Sequence, residues 1–166
     1  MRKGISLGVL LLLLLAFCLF GCGKSVSVET MQTEIEKAWN SNEEYDANSF
    51  VKSLEDSASF TVTEIEETEK NCYTVTLNVT SADALEGIKQ YQGSIEHMPT
   101  DEEMNNKIKE IIRDAEPKTT QQTLLVLETE NGFSVIFSEG FIDAMCGYSY
   151  SYCMNEMQRI LEGEAS

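Results

Sequence analysis

The residue types that most often carry out chemistry are scarce in this chain. It has a single histidine, His97, and five cysteines, at positions 18, 22, 72, 146 and 153. Nucleophilic catalysis requires a nucleophile, a base and a group that orients the base, and the sequence indicates no such set. His97 stands beside Met98-Pro99, which predicts a solvent-exposed loop. We therefore predict a protein without catalytic residues that is not an enzyme.

Motifs for metals and cofactors are missing from the sequence as well. No paired-cysteine zinc motif, glycine-rich phosphate loop or calcium loop occurs. The acidic run Asp101-Glu102-Glu103 is explained by a helix start, because Thr100 and Glu103 have capping-box spacing and acids stabilise the positive end of a helix. The sequence thus predicts no metal site and no cofactor.

The first residues have the pattern of an export signal. Arg2 and Lys3 give a positive start, an apolar run extends from Ile5 to Phe20, and Gly21-Cys22 follows. The run is shorter than the about 20 apolar residues that a membrane-spanning helix needs, although a tilted anchor is an alternative. An ordinary secretory signal would place a small residue at −3 of the cleavage site, where this chain has Leu19.

The segment Leu19-Phe20-Gly21-Cys22 resembles the lipobox of bacterial lipoproteins, with an aliphatic residue at −3 and a small residue before the cysteine. The resemblance implies that a lipid such as palmitate is attached to the Cys22 thiol and that a peptidase cuts between Gly21 and Cys22. Residues 1–21 would then be a signal peptide and residues 22–27 a lipidated tether. The domain would be held on the extracytoplasmic face of the cell membrane.

The charge of the chain limits its partners. The formal net charge is −16, and removal of residues 1–21 takes away Arg2 and Lys3 and no acid, which changes it to −18. Nucleic-acid phosphates bind Lys and Arg, so we predict no nucleic-acid partner. Attraction to anionic lipid also comes from basic residues. The lipid is therefore the predicted contact with the membrane.

Residues 28–166 have the length of one domain, and helical spacing of apolar residues predicts several helices in it. The first follows Ser27, which can cap it, and includes Trp39 as a core anchor. A short helix is predicted around Leu54. Ser81 is predicted to cap another helix that runs through Tyr91.

Four strands are predicted between and after these helices. Ser59–Ile65 is rich in β-forming residues, and apolar and polar residues alternate from Tyr73 to Thr80. Thr119–Thr129 and Phe133–Phe137 form a hairpin around a predicted two-residue turn, Asn131-Gly132.

The hairpin carries apolar residues on both faces. Leu124 and Val126 share one face, and Leu125 and Ile136 share the other. This pattern predicts a strand pair that is central or covered on both sides.

The element order predicts an α+β domain in which a curved antiparallel sheet of about four strands packs against helices. The leading helix, the strands and the hairpin followed by Ser138-Glu139-Gly140-Phe141-Ile142-Asp143-Ala144 resemble small lipoproteins of Gram-positive gut bacteria. That resemblance implies a cystatin-like or nuclear-transport-factor-like fold. Such domains hold a small molecule in the concave face of the sheet or bind another protein.

The remaining cysteines allow one disulfide. Gly147 separates a helix that begins after Ser138 from a last helix through Leu161, and Cys146 and Cys153 flank this break. If any pair forms a disulfide in the oxidising compartment, we expect Cys146–Cys153, with Cys72 left free. Buried free thiols are the alternative.

Taken together, these features predict a membrane-anchored lipoprotein whose domain is a binding or interaction module for a protein partner or a small ligand. The alternative is a surface enzyme or inhibitor that acts on an envelope polymer or a protease.

Overall fold

The computed structural model describes residues 26–41, 50–95, 97 and 99–162. The predicted signal peptide, its cleavage site and Cys22 lie outside these residues. In chain order the elements are α1 Val28–Asn40, α2 Phe50–Glu55, β1 Ser59–Glu69, β2 Cys72–Ala82, α3 Leu85–Gly93, α4 Asp101–Asp114, β3 Pro117–Thr129, β4 Gly132–Ile136, α5 Glu139–Met145 and α6 Tyr150–Leu161. None of the helices described here is long and apolar enough to cross a membrane.

The four strands form one antiparallel sheet in the order β1-β2-β3-β4. Helices α3 and α4 lie between the two central strands in the chain, and the chain leaves the sheet at Ala82 and returns at Pro117, which pair with each other. This arrangement confirms the predicted α+β class and the four-stranded antiparallel sheet packed against helices.

The main core lies on one face of the sheet, which we call the inner face. Tyr73, Val75, Leu77 and Val79 of β2 are buried there, as the alternating pattern predicted. Helices α1 and α5 pack on these residues through side chains that include Met31, Ile35 and Phe141.

The only tryptophan of the chain closes one end of this core. The Trp39 ring meets the rings of Phe137 and Phe141 edge-on, at centroid distances of 5.2 and 5.3 Å. The interpretation of Trp39 as a core residue is confirmed.

A second, smaller core joins α2, α3 and α4 through Leu54, Ala84, Ile88, Ile108 and Ile111. The predicted capping box is present at the start of α4. The Thr100 backbone N–H donates to the Glu103 carboxylate at 2.8 Å, and the Glu103 N–H donates to the Thr100 hydroxyl at 3.2 Å.

Gly147 joins the two cores at the break between α5 and α6. Its backbone has φ +63°, and Tyr148 follows with φ +60°. The Ala84 N–H donates to the Gly147 carbonyl oxygen at 3.0 Å. The predicted break at Gly147 is confirmed. The predicted Ser138 cap is also confirmed, because the Ser138 hydroxyl accepts a hydrogen bond from the Phe141 N–H.

The prediction that Ser81 caps a helix is wrong. Ser81 lies inside β2, is buried, and donates its hydroxyl to the carbonyl oxygen of Ala144 at 2.6 Å. The N-cap of helix α3 is instead Ala84, whose side chain makes no capping hydrogen bond.

The predicted hairpin turn is displaced by one residue. Gly132 pairs with Thr129, so the turn residues are Glu130 and Asn131. Gly132 has φ +123°, a conformation that glycine adopts more readily than other residues. β1 also continues past Ile65 to Glu69.

Candidate interaction surface

The face of the sheet opposite the main core, which we call the outer face, has exposed and half-buried side chains. The helices that make the main contacts with the sheet, α1 and α5, pack on the inner face. Strand register places Asn78, Gln121 and Thr123 on the outer face, and all three side chains are exposed. The alternation of apolar and polar residues along β2 predicted that this face is in contact with solvent.

The outer face is uncharged across three strands. Its positions are the alternate residues from Cys72 to Thr80 on β2 and from Thr119 to Leu127 on β3, together with Ser134 and Ile136 on β4. None of them is Asp, Glu, Lys or Arg, although 24% of the chain is charged. The charges of this face lie on β1 alone, at Glu64, Glu66 and Glu69. The sequence signal for this surface is therefore the absence of charge at alternate positions.

One end of the outer face is apolar. Leu125 and Ile136 pair across β3 and β4, with 38% and 49% of their side-chain area exposed. The expectation that this hairpin is covered on both sides is wrong for the described residues. β3 does lie in the centre of the sheet, but β4 is an edge strand, and no described helix contributes a main contact to their outer face.

The polar part of the outer face is ordered by hydrogen bonds between neighbouring strands. The hydroxyls of Thr80 and Thr119 lie 2.8 Å apart. The Thr63 hydroxyl donates to the carbonyl oxygen of Thr76 at 3.1 Å. These bonds hold β-branched side chains in fixed positions on this part of the surface.

A cleft of about 460 Å³ between α3 and α4 is the main alternative site. Its acidic groups are already paired with bases. Asp83 contacts Lys118 at 3.1 Å, Glu86 contacts Lys89 at 2.8 Å, Glu110 contacts Lys107 at 2.9 Å and Asp114 contacts Arg113 at 2.8 Å. The four carboxylates of this cleft are therefore each held in an ion pair.

His97 lies in the connection between α3 and α4 and is exposed, as predicted. It borders a groove shared with Tyr91 and Glu103. Backbone and side-chain hydrogen bonds from Thr100 lower the pKa of Glu103, so this carboxylate is committed to capping the helix. Within the described residues, no group of three or more His, Cys, Asp or Glu side chains could hold a metal ion.

The cysteines that the structure describes are free thiols. Burial raises the pKa of the Cys146 thiol to about 12 and also raises the pKa of Cys153. Because the thiolate is the reactive form, these environments do not produce nucleophiles. Cys72 lies half-buried at the start of β2 on the outer face, away from the apolar side chain of Tyr73. The Cys146–Cys153 disulfide stays a prediction, and the chain break on which it depends is present.

In comparisons with protein-family models, curated proteins and solved structures, the chain matches none of them.

Proposed function

We propose that this protein is a lipid-anchored lipoprotein of the extracytoplasmic membrane face, and that its domain binds a protein partner through the outer face of the sheet. The observation that carries the proposal is the uncharged surface across β2, β3 and β4, with exposed and half-buried side chains, in a chain of net charge −16. Depletion of charge and the presence of apolar residues are typical of the centre of protein interfaces.

The shape of the domain favours a protein over a small molecule. The inner face is filled, because Phe141, Met31 and Leu77 are fully buried against it. The outer face presents four strands about 4.8 Å apart, and β2 has 11 residues that rise about 3.4 Å each. The uncharged part covers 11 paired residues on β2 and β3 and the five residues of β4, which gives about 440 Å². This area is about half of the roughly 800 Å² per partner of a standard interface and fits a weak, transient complex.

The proposed anchor would hold the domain close to the bilayer. Within the proposed tether of residues 22–27, the four residues from Gly23 to Val26 span about 13 Å when fully extended. A partner in the membrane or attached to it is therefore within reach. Replacement of Cys22 by alanine should abolish incorporation of a lipid label, and a variant that is still labelled would contradict the anchor.

Site-specific photocrosslinking of the full chain in its own membrane tests the binding surface. A crosslinker at Asn78, on the outer face, should give a discrete adduct with another protein. A matched crosslinker at Lys109, exposed on α4, should not. A second substitution, Thr123→Glu, should weaken the Asn78 adduct because it places a charge in the uncharged surface. Equal adducts from Asn78 and Lys109, or no effect of Thr123→Glu, would refute the proposal.

A further inference from the structure

A cavity of about 360 Å³ lies where the carboxyl-terminal ends of α1 and α2 meet the start of β1. Trp39 and Phe60 contribute aromatic rings to its wall, and Glu55, the last residue of α2, contributes a carboxylate. The volume is within the range of ligand-binding pockets, which is about 300–1,000 Å³. Both aromatic residues also pack on the main core, which lies on the inner face, so the cavity is separate from the surface proposed above.

The Glu55 carboxylate accepts no hydrogen bond and makes no ion pair within the part of the chain that the structure describes. The neighbouring base, Lys52, contacts Asp56 instead, with a distance of 3.0 Å between its Nζ and the Oδ1 of the aspartate. The Glu55 side chain is half-buried, and burial raises its pKa more than the positive charge of Lys52 lowers it. The fold therefore keeps a carboxylate that lowers stability when it is ionised.

The electrostatics of this cavity favour a cation. Three carboxylates line it, at Glu36, Glu55 and Asp56, together with one base, Lys52. The carboxyl-terminal end of a helix carries partial negative charge, and the last residues of α1 and α2, Asn40 and Glu55, both line the cavity. The aromatic wall adds to the attraction, because the face of a tryptophan or phenylalanine ring stabilises a cation placed over it.

We propose that this cavity binds an alkylammonium group, whose charged end pairs with the Glu55 carboxylate and whose carbon chain lies against Trp39 and Phe60. The ammonium N–H groups supply the hydrogen bonds that this carboxylate lacks within the described residues. The aromatic wall favours a cation with an apolar part over a hydrated metal ion. A free amine and a lysine side chain of a partner protein both carry this group.

Titration of the full chain, in an uncharged detergent, with n-butylammonium, n-butanol and butyrate tests the charge selectivity, because the three probes share one carbon skeleton. The fluorescence of Trp39, the only tryptophan, reports binding in the cavity. We expect saturable binding of n-butylammonium at about millimolar concentration, as is usual for a ligand with so few atoms. n-Butanol should bind about fivefold more weakly because it lacks the ion pair, and butyrate should not bind. A sodium chloride titration controls for ionic strength.

The variant Glu55→Gln separates loss of the site from loss of the fold. It removes a half-buried charge and should therefore stabilise the domain, yet it should weaken n-butylammonium binding about fivefold. Glu130→Gln, in the exposed turn between β3 and β4 and outside the cavity, makes the same change in net charge and should leave the affinity unaltered. Equal affinities for n-butylammonium and n-butanol, unchanged affinity in Glu55→Gln, or an equal loss in both variants would overturn the proposal.

A further probe, lysine with its α-amino and carboxyl groups blocked as amides, distinguishes the two sources of the alkylammonium group. Binding at least as tight as that of n-butylammonium would assign the cavity to a lysine side chain of a partner protein. Weaker binding would assign it to a free amine, and either result supports an alkylammonium site. If neither probe gives a saturable change in Trp39 fluorescence beyond that of sodium chloride, the proposal is wrong.

Discussion

Replacement of Gly147 by alanine tests how the two cores are joined. The backbone there has φ +63°, and a Cβ atom would lie 3.0 Å from the Ala82 carbonyl oxygen and 3.1 Å from both the Ala84 Cβ and the Leu54 Cδ2. The Ala82 oxygen belongs to the last residue of β2, which pairs with Pro117, so it has little freedom to move. The new methyl group must therefore be accommodated by strain.

The expected cost follows from three contributions. The left-handed conformation costs a residue with a Cβ about 1–2 kcal/mol. Compression of tightly packed neighbours adds about 1 kcal/mol. Alanine also lowers the conformational entropy of the unfolded chain, which offsets this cost by about 0.4–1 kcal/mol. Gly147→Ala should thus lower the free energy of unfolding by about 1–3 kcal/mol, a substantial part of the about 5–15 kcal/mol of a typical domain.

Urea unfolding followed by the fluorescence of Trp39, the only tryptophan, measures this difference. With a denaturant slope of about 2 kcal/mol per molar, the midpoint should fall by about 0.5–1.5 M. Gly93→Ala is the matched control, because Gly93 ends α3 and a Cβ there meets nothing within 4 Å. Its midpoint should stay the same or rise slightly. A Gly147→Ala midpoint at or above that of Gly93→Ala would refute the reasoning.

Three further outcomes are expected. Gln32→Ala should lower stability by about 1–2 kcal/mol because it removes two hydrogen bonds to the edge of β1, and an unchanged urea midpoint would contradict this. Burial raises the pKa of the Glu55 carboxyl above its ordinary value of 4.5. The ionised side chain therefore destabilises the fold when the pH is above 4.5. Glu55→Gln should therefore raise the midpoint at pH 7 and lose this advantage below pH 4.5, whereas equal midpoints at pH 7 would count against it. An alkylating reagent at about pH 8 should modify Cys72 before Cys146, whose buried thiol has a pKa of about 12, and peptide mapping that shows equal rates would oppose this.

The features predicted correctly from the sequence depend on residues that are near each other in the chain. The caps at Ser27, Thr100 and Ser138 each need only a backbone N–H three residues later. The burial of alternate residues on β2 follows from strand geometry alone. Each of these features is determined by residues within one helical turn or one strand.

The errors concern residues whose role is set by distant partners. Ser81 is predicted to cap a helix because Leu85, Ile88 and Tyr91 follow it at helical spacing, but it lies in β2 and its hydroxyl donates to the Ala144 carbonyl oxygen in α5. Leu125 and Ile136 looked buried because they are apolar, and their exposure depends on which elements pack against β3 and β4. The uncharged outer face emerges only when the strand register aligns the alternate positions of three strands.

The pairing of Ala82 with Pro117 has a kinetic consequence. The β1–β2 hairpin and the β3–β4 hairpin each close over a two-residue turn, so both can form early from neighbouring residues. Pairing of β2 with β3 must instead close the long connection made by residues 83–116, which carries the larger entropic cost. We therefore expect the two halves of the sheet to assemble independently and to join in the rate-limiting step, after α3 and α4 have brought Ala82 and Pro117 together.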